Sequence, residues 1–222
     1  MALFRTVTTK NVYCIGHNHI ALLKSDPNQV KNPEEKNLPL LASKSTSALT
    51  GPNSIIKIHN QNLQVDWEAE LVIQIKSKAF NLSDQFEARK IINRWGVGND
   101  ISDRKWQEIG GGQWIRGKSF PGFAPHNLNK NSPTPDYCLD RSIKCWVNDE
   151  LMQDSSLTEY IHPPDWLAWH LSQSMILEAG DLIFCGTFPG CGFHQNPQKF
   201  LKKGDRLRTW IEGLGELNNE II

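Results

Sequence analysis

This chain has no long apolar run, no basic block and no closely spaced pair of cysteines. Its apolar runs are short, such as Leu71-Val72-Ile73, whereas a membrane span needs about 20 such residues. No membrane association is expected. Lys plus Arg and Asp plus Glu number 24 each, so the formal net charge is zero. Nucleic-acid binding normally requires a basic excess or stripe, and none is present. The start, MALFRTVTTKNVYC, lacks the apolar centre of a secretory signal. Cys14, Cys138, Cys145, Cys185 and Cys191 include no CxxC pair. That usage fits reduced thiols and a cytoplasmic location, with each cysteine acting as a small buried hydrophobe. The GxSxG elbow and the HExxH zinc motif are also absent, and the seven histidines show no ligand spacing.

What is present is an ordinary globular composition, 39% hydrophobic and 22% charged over 222 residues. With no repeat or linker, residues 1–222 read as one domain. Residues 24–39, KSDPNQVKNPEEKNLP, carry three prolines and no period, and read as a mobile lid or loop excursion. Residues 121–136, with four prolines, read as a second long loop. The clearest element is 65–75, where Val65, Trp67, Ala69, Leu71, Ile73 and Ile75 alternate with Asp66, Glu68, Glu70, Val72 and Gln74. A period of two predicts a strand with one apolar face. Further strands are predicted at 11–16, 54–58, 95–101, 114–120, 142–147, 181–187 and 206–211. Helices are predicted at 84–93 behind Ser83, as a short turn after Ser102, and at 165–175 behind Pro163-Pro164. Many strands and few helices, without βαβ alternation, indicate a β-dominated α+β fold.

Glu68 and Glu70 lie two apart, so their side chains leave one face of the strand. Adjacent carboxylates repel unless a cation lies between them, although on a solvated face the repulsion is minor. A further acid, Asp100, ends the strand-like run RWGVGND. If that end lies beside Glu70, three hard oxygen ligands converge without His or Cys. Such a donor set selects Mg²⁺, Mn²⁺ or Ca²⁺ over zinc.

Several segments then resemble one family, from about Tyr13 to the C-terminus. VDWEAELVI, GNDISDRKWQ, GGQWIRGKSFPGFAP, LMQDSS, LEAGDLIFCGTFPGCGF and KKGDRLRTWIEGLGEL occur in the order of the motifs of the fumarylacetoacetate hydrolase family. The resemblance implies that family's C-terminal fold, mixed β-sheets rolled around a metal site with few helices. It implies Mg²⁺, alternatively Mn²⁺ or Ca²⁺, held by Glu68, Glu70 and Asp100, and substrate contacts at Arg104, Gln107, Lys118 and Thr187. It further implies a homodimer acting on a small 2-oxo or 1,3-dicarbonyl acid through a metal-stabilised enolate, by decarboxylation, tautomerisation or C–C hydrolysis. In that reading Lys118 stabilises developing oxyanion charge and Arg104 grips a carboxylate. Plain alternatives stand beside these roles: a solvated helix face for Arg104 and Gln107, and backbone capping for Thr187.

The pattern breaks near the N-terminus. The family places a Tyr after the Asn, a His three residues after that Tyr, and a Glu three further on. This His–Glu pair activates the hydrolytic water. Here CIGHNHIALLKS retains Asn18 but has His19 for Tyr, Leu22 for His and Ser25 for Glu. Leucine cannot accept a proton, so the water-activating dyad is missing. The alternative function is therefore a metal-binding member without hydrolase activity. His17 and His19 are the nearby imidazoles, each more simply structural. Two other motifs carry nothing. GQWIRGKS, residues 112–119, matches a phosphate-loop expression, but Pro121, Gly122 and Pro125 forbid the helix such a loop requires. The Trp-rich run DWLAWHLSQSM reads as a core-packing helix.

Overall fold

The computed structural model describes residues 8–25, 38–59, 64–129 and 139–222. Residues 26–37 of the expected excursion, the later part of the second expected loop, and Cys138 lie outside the described residues. In chain order the strands are β1 (Val12–Gly16), β2 (Leu40–Lys44), β3 (Leu49–Thr50), β4 (Ile55–Ile56), β5 (Val65–Asp66), β6 (Ala69–Ile75) and β7 (Ile92–Asn99). They continue with β8 (Ser102–Asp103), β9 (Ala124–Asn129), β10 (Ser142–Val147), β11 (Glu150–Ser156), β12 (Leu182–Thr187), β13 (Arg206–Ile211) and β14 (Gly215–Ile221). Among the described residues five short helices interrupt them: α1 (Ile20–Ser25), α2 (Gln85–Lys90), α3 (Arg104–Gly112), α4 (Trp114–Lys118) and α5 (Pro164–Ser172). None of the described helices is long and apolar enough to cross a membrane.

A mixed seven-stranded sheet, ordered β2-β1-β12-β6-β7-β9-β3, packs against a five-stranded sheet, ordered β11-β10-β13-β14-β4. Between them lies the main core, where Ala69, Leu71, Ile73 and Ile75 of β6 meet Ile143, Leu207, Ile211 and Leu217. This is the apolar face that the period of two predicts. The opposite face of β6 is buried too, because Val72 packs with Val12, Cys14, Leu182 and Phe184 in a smaller second cluster. Glu68 and Glu70 share that second face, so they are enclosed rather than solvated. Gly98 of β7 leaves room there: a Cβ would stand 2.3 Å from Val72 Cγ2 and 2.8 Å from Phe184.

Two expectations fail. Residues 114–118 form helix α4 instead of a strand, despite Trp114 and Ile115. Gly110, Gly111 and Gly112, the last residues of α3, take φ of +74°, +83° and +82°, a left-handed, non-helical run that turns the chain back onto the first turns of α3. Gly117 then sits so close to α3 that a Cβ would be 2.5 Å from Gln107 Cγ. The 121–136 segment is not all loop either, since β9 pairs with β7, opposing His126 to Gly98. Its Pro125 lies where β9 joins the short β3. The expected helices appear: α2 is capped by Asp84 rather than Ser83, and α5 buries Leu167, Ala168 and Leu171 in the core. All four described cysteines are buried, and burial pushes each thiol up, consistent with inert hydrophobes.

Candidate active site

The pairing of β6 with β7 brings the three acids together. Glu70 lies opposite Gly98 and Ala69 opposite Asn99. Asp100 continues that register, and its N–H donates to the Glu68 carbonyl at 2.8 Å. Asp100 is therefore opposite Glu68 in the register rather than opposite Glu70, and its carboxylate still reaches both glutamates. One carboxylate oxygen from each of Glu68, Glu70 and Asp100 falls within 4.8 Å of the others. Oxygens on opposite sides of an ion at 2.0–2.6 Å lie about 4–5 Å apart, so the triad has the span of a divalent-ion site.

Cations surround the triad, which sequence spacing did not anticipate. Lys118 Nζ, near the end of α4, donates to Glu68 Oε2 at 2.9 Å, Asp100 Oδ2 at 2.6 Å and Ser102 Oγ at 3.0 Å. Arg104 opens α3; its Nη2 lies 2.7 Å from Glu68 Oε1, and its Nε and Nη2 fork onto Asp66 Oδ2 at 2.9 and 2.7 Å. Lys44 ends β2, fully buried. It gives its three protons to the carbonyls of Ile101, Lys118 and Phe123, at 2.7–2.8 Å. Its Nζ also lies 2.6 Å from Asp100 Oδ1, a buried ion pair. Both Asp100 oxygens thus contact an ammonium, Oδ1 that of Lys44 and Oδ2 that of Lys118.

The electrostatics separate the three acids. Burial works to raise Asp100, yet Lys118 and Lys44 outweigh it and hold its carboxyl down at about 2. For Glu68, Arg104 and Lys118 likewise overcome burial and hold it below the usual range. Glu70 goes the other way. Burial, then the charges of Asp100 and Glu68, push it well above the usual range, against Lys118 and the Gly186 N–H that its Oε2 accepts at 2.8 Å. Four carboxylates, with Asp66 included, face Lys44, Arg104 and Lys118, and Glu70 is the acid that none of these three pairs with. A hard divalent cation there fits both the donor chemistry and the charge.

A cavity of about 410 Å³ opens over this floor. Lys118, Gln107, Arg104 and Thr187 all line it, so every residue expected to contact substrate reaches one space. Gln107 is buried, and its Nε2 has no hydrogen-bond partner, leaving a donor for a ligand. Most donors of Arg104 are occupied by Asp66, Glu68 and Gln107 Oε1, so its guanidinium is not free for a bidentate grip. The Thr187 hydroxyl donates to Ala69 O at 3.1 Å, the capping role. Trp114 and Phe193 form aromatic walls, 6.0 Å from Lys118 Nζ and 5.7 Å from the Arg104 guanidinium. Sequence reasoning missed Asp66, although it shares the parity of Glu68 and Glu70. It also missed Lys44, for which a lysine closing an apolar strand is a weak signal.

The N-terminal imidazoles part company. Leu22 of α1 lines the cavity, as does His17. His19 does not: its Nδ1 accepts the Ala21 N–H at 3.1 Å, which leaves the proton on Nε2, 3.0 Å from Glu159 Oε2. His19 is an anchor for the start of α1. His19→Ala is expected to cost about 1–2 kcal/mol of stability in denaturant unfolding and to leave turnover unchanged. A collapse of turnover without loss of stability would contradict that role.

The family model described as fumarylacetoacetate (FAA) hydrolase C-terminal matches residues 11–222. Oxaloacetate tautomerase fahd2, mitochondrial, of Xenopus laevis is 33% identical over 217 residues, covering 96% of this chain. This chain spans 66% of that relative's length, just under two thirds. Among solved structures, fumarylacetoacetate hydrolase from Exiguobacterium antarcticum superposes with a TM-score of 0.83 at 29% identity, over 97% of this chain and 76% of its own. The 2-hydroxyhepta-2,4-diene-1,7-dioate isomerase of Mycobacterium marinum gives 0.80 at 27% identity, over 97% and 75%. These relatives are named for a tautomerase, a hydrolase and an isomerase.

Proposed function

The chain belongs to the fumarylacetoacetate hydrolase family, and we propose from that premise that it is a divalent-metal-dependent enzyme acting on a small 2-oxo acid. Its reaction in this reading is keto–enol tautomerisation or decarboxylation, with oxaloacetate the first substrate to test, rather than C–C hydrolysis. One observation carries the reading: Lys118 Nζ is held between Glu68 and Asp100 beneath a cavity that Leu22 lines where the family places its histidine.

Glu68, Glu70 and Asp100 would hold the ion. A divalent ion supplies, when bound, a Lewis acid that draws charge onto the 2-oxo oxygen. Lys118 places an ammonium where that charge develops, preorganised by its bonds to Glu68, Asp100 and Ser102. Gln107 Nε2 offers its unused donor to the substrate carboxylate. Arg104 acts mainly by fixing Glu68 and Asp66. Water enters neither reaction as a nucleophile, so neither requires a group that holds and deprotonates it. Hydrolysis does, and such a base typically contributes 10²–10⁴-fold.

The test follows ultraviolet absorbance with Mg²⁺ or Mn²⁺ present. Metal-dependent loss of the oxaloacetate enol band is expected, with acylpyruvate cleavage at least about 10²-fold slower. Fast acylpyruvate cleavage would mean that another group serves as base. Metal binding with neither reaction would favour a member that has lost catalysis.

A further inference from the structure

We propose that Gln153 is a positioning residue for the metal centre, an inference that rests on the metal reading above. Gln153 belongs to β11, at the edge of the five-stranded sheet, yet its side chain is buried and ends in the other sheet. There its carboxamide binds both ways. Oε1 accepts the Ala69 N–H at 3.0 Å, while Nε2 donates to Thr187 Oγ1 at 3.0 Å and to the Phe188 carbonyl at 2.7 Å. Ala69 is the single residue between Glu68 and Glu70. Whatever holds its peptide sets the angle between those two carboxylates.

The need for such a clamp is local. The pairing of β12 with β6 slips by one residue here, with Phe184 opposite Val72 but Thr187 opposite Glu70. A slip of this kind leaves backbone groups without ladder partners and lets the strands splay. Side chains replace the ladder: Gln153 takes the Ala69 N–H, and the Thr187 hydroxyl takes the Ala69 carbonyl. Because Gln153 also donates to that hydroxyl, it fixes which way Thr187 points at the edge of the cavity. The slip carries Gly186, whose N–H holds Glu70 Oε2. One carboxamide thus ties the two strands together beside both glutamates without touching the cavity itself.

Outer groups that orient ligands typically change metal affinity or activity by 10–100-fold when removed. Gln153→Met keeps the volume and loses every hydrogen bond. It is expected to weaken Mn²⁺ binding, measured by calorimetry on the full chain, by about 10–100-fold. For oxaloacetate at saturating Mn²⁺, kcat should fall while KM changes by less than about threefold. A residue that merely packs the core would lower the melting temperature and move neither number. Wild-type Mn²⁺ binding with a Gln153→Met affinity within about twofold of it would overturn this inference alone. Absence of Mn²⁺ binding in the wild type would overturn the metal reading and this inference with it. If Gln153→Met loses its folded circular-dichroism signal, Gln153→Glu decides. It keeps the acceptor for Ala69 and loses both donors, so Mn²⁺ affinity should hold while kcat falls at least about tenfold; an unchanged kcat overturns the proposal.

Discussion

Lys118→Met is expected to lower metal-dependent turnover of oxaloacetate by 10²–10³-fold, about 2.7–4 kcal/mol of barrier. The magnitude is that of removing one preorganised electrostatic partner from a site where charge develops. Lys118 qualifies because it is nearly inaccessible and fixed by bonds to Glu68, Asp100 and Ser102, so its positive charge is already in place as the reaction proceeds. Burial would pull its ammonium down, but Asp100 and Glu68 outweigh that and keep it firmly protonated. The same bonds make a second expectation. Lys118 competes with any ion for Glu68 Oε2 and Asp100 Oδ2, so Mn²⁺ affinity should be equal or tighter in the variant while turnover collapses. The metal-free melting temperature should fall, since two buried carboxylates lose a shared cation. Full turnover in Lys118→Met would remove Lys118 from the chemistry.

Glu70→Ala should abolish both turnover and the stabilisation that Mg²⁺ or Mn²⁺ gives the wild type. An ion that binds only the folded state adds about 2.7 kcal/mol at a hundredfold excess over Kd. For a chain of this size that is roughly 5–10 °C in melting temperature. Glu70 is the cleaner of the two glutamates to remove. Glu68 also holds Arg104 and Lys118, so Glu68→Ala takes one partner from each of two buried cations and loses stability for a second reason. Glu70 has the Gly186 N–H and the charge of Lys118 on one side and burial and two repelling acids on the other, and the latter outweigh them, so its loss should raise metal-free stability or leave it unchanged. A melting curve that stays flat across millimolar Mg²⁺, Mn²⁺ and Ca²⁺ would rule out the site.

Much of this was legible before any coordinates, because local periodicity is a local property. The alternation through 65–75 determined by itself that Glu68 and Glu70 share a face and that Leu71, Ile73 and Ile75 point to a core. Leu22 was readable as an apolar residue where a base is required, since chemistry of that kind depends on residue type alone. The sequence could not show that the polar face of the strand is itself buried, because burial there depends on β1 and β12 arriving from distant parts of the chain. Nor could it choose the neighbour of Asp100, which the β6–β7 register decides in favour of Glu68. The helix at Trp114–Lys118 contradicts its residues' strand preference because three left-handed glycines reverse the chain and aim Lys118 at the acids. Lys44 and Gln153 are the furthest from sequence reach. A lysine and a glutamine are surface residues by default, and only the closing of one sheet over another makes them internal hydrogen-bond partners of the site.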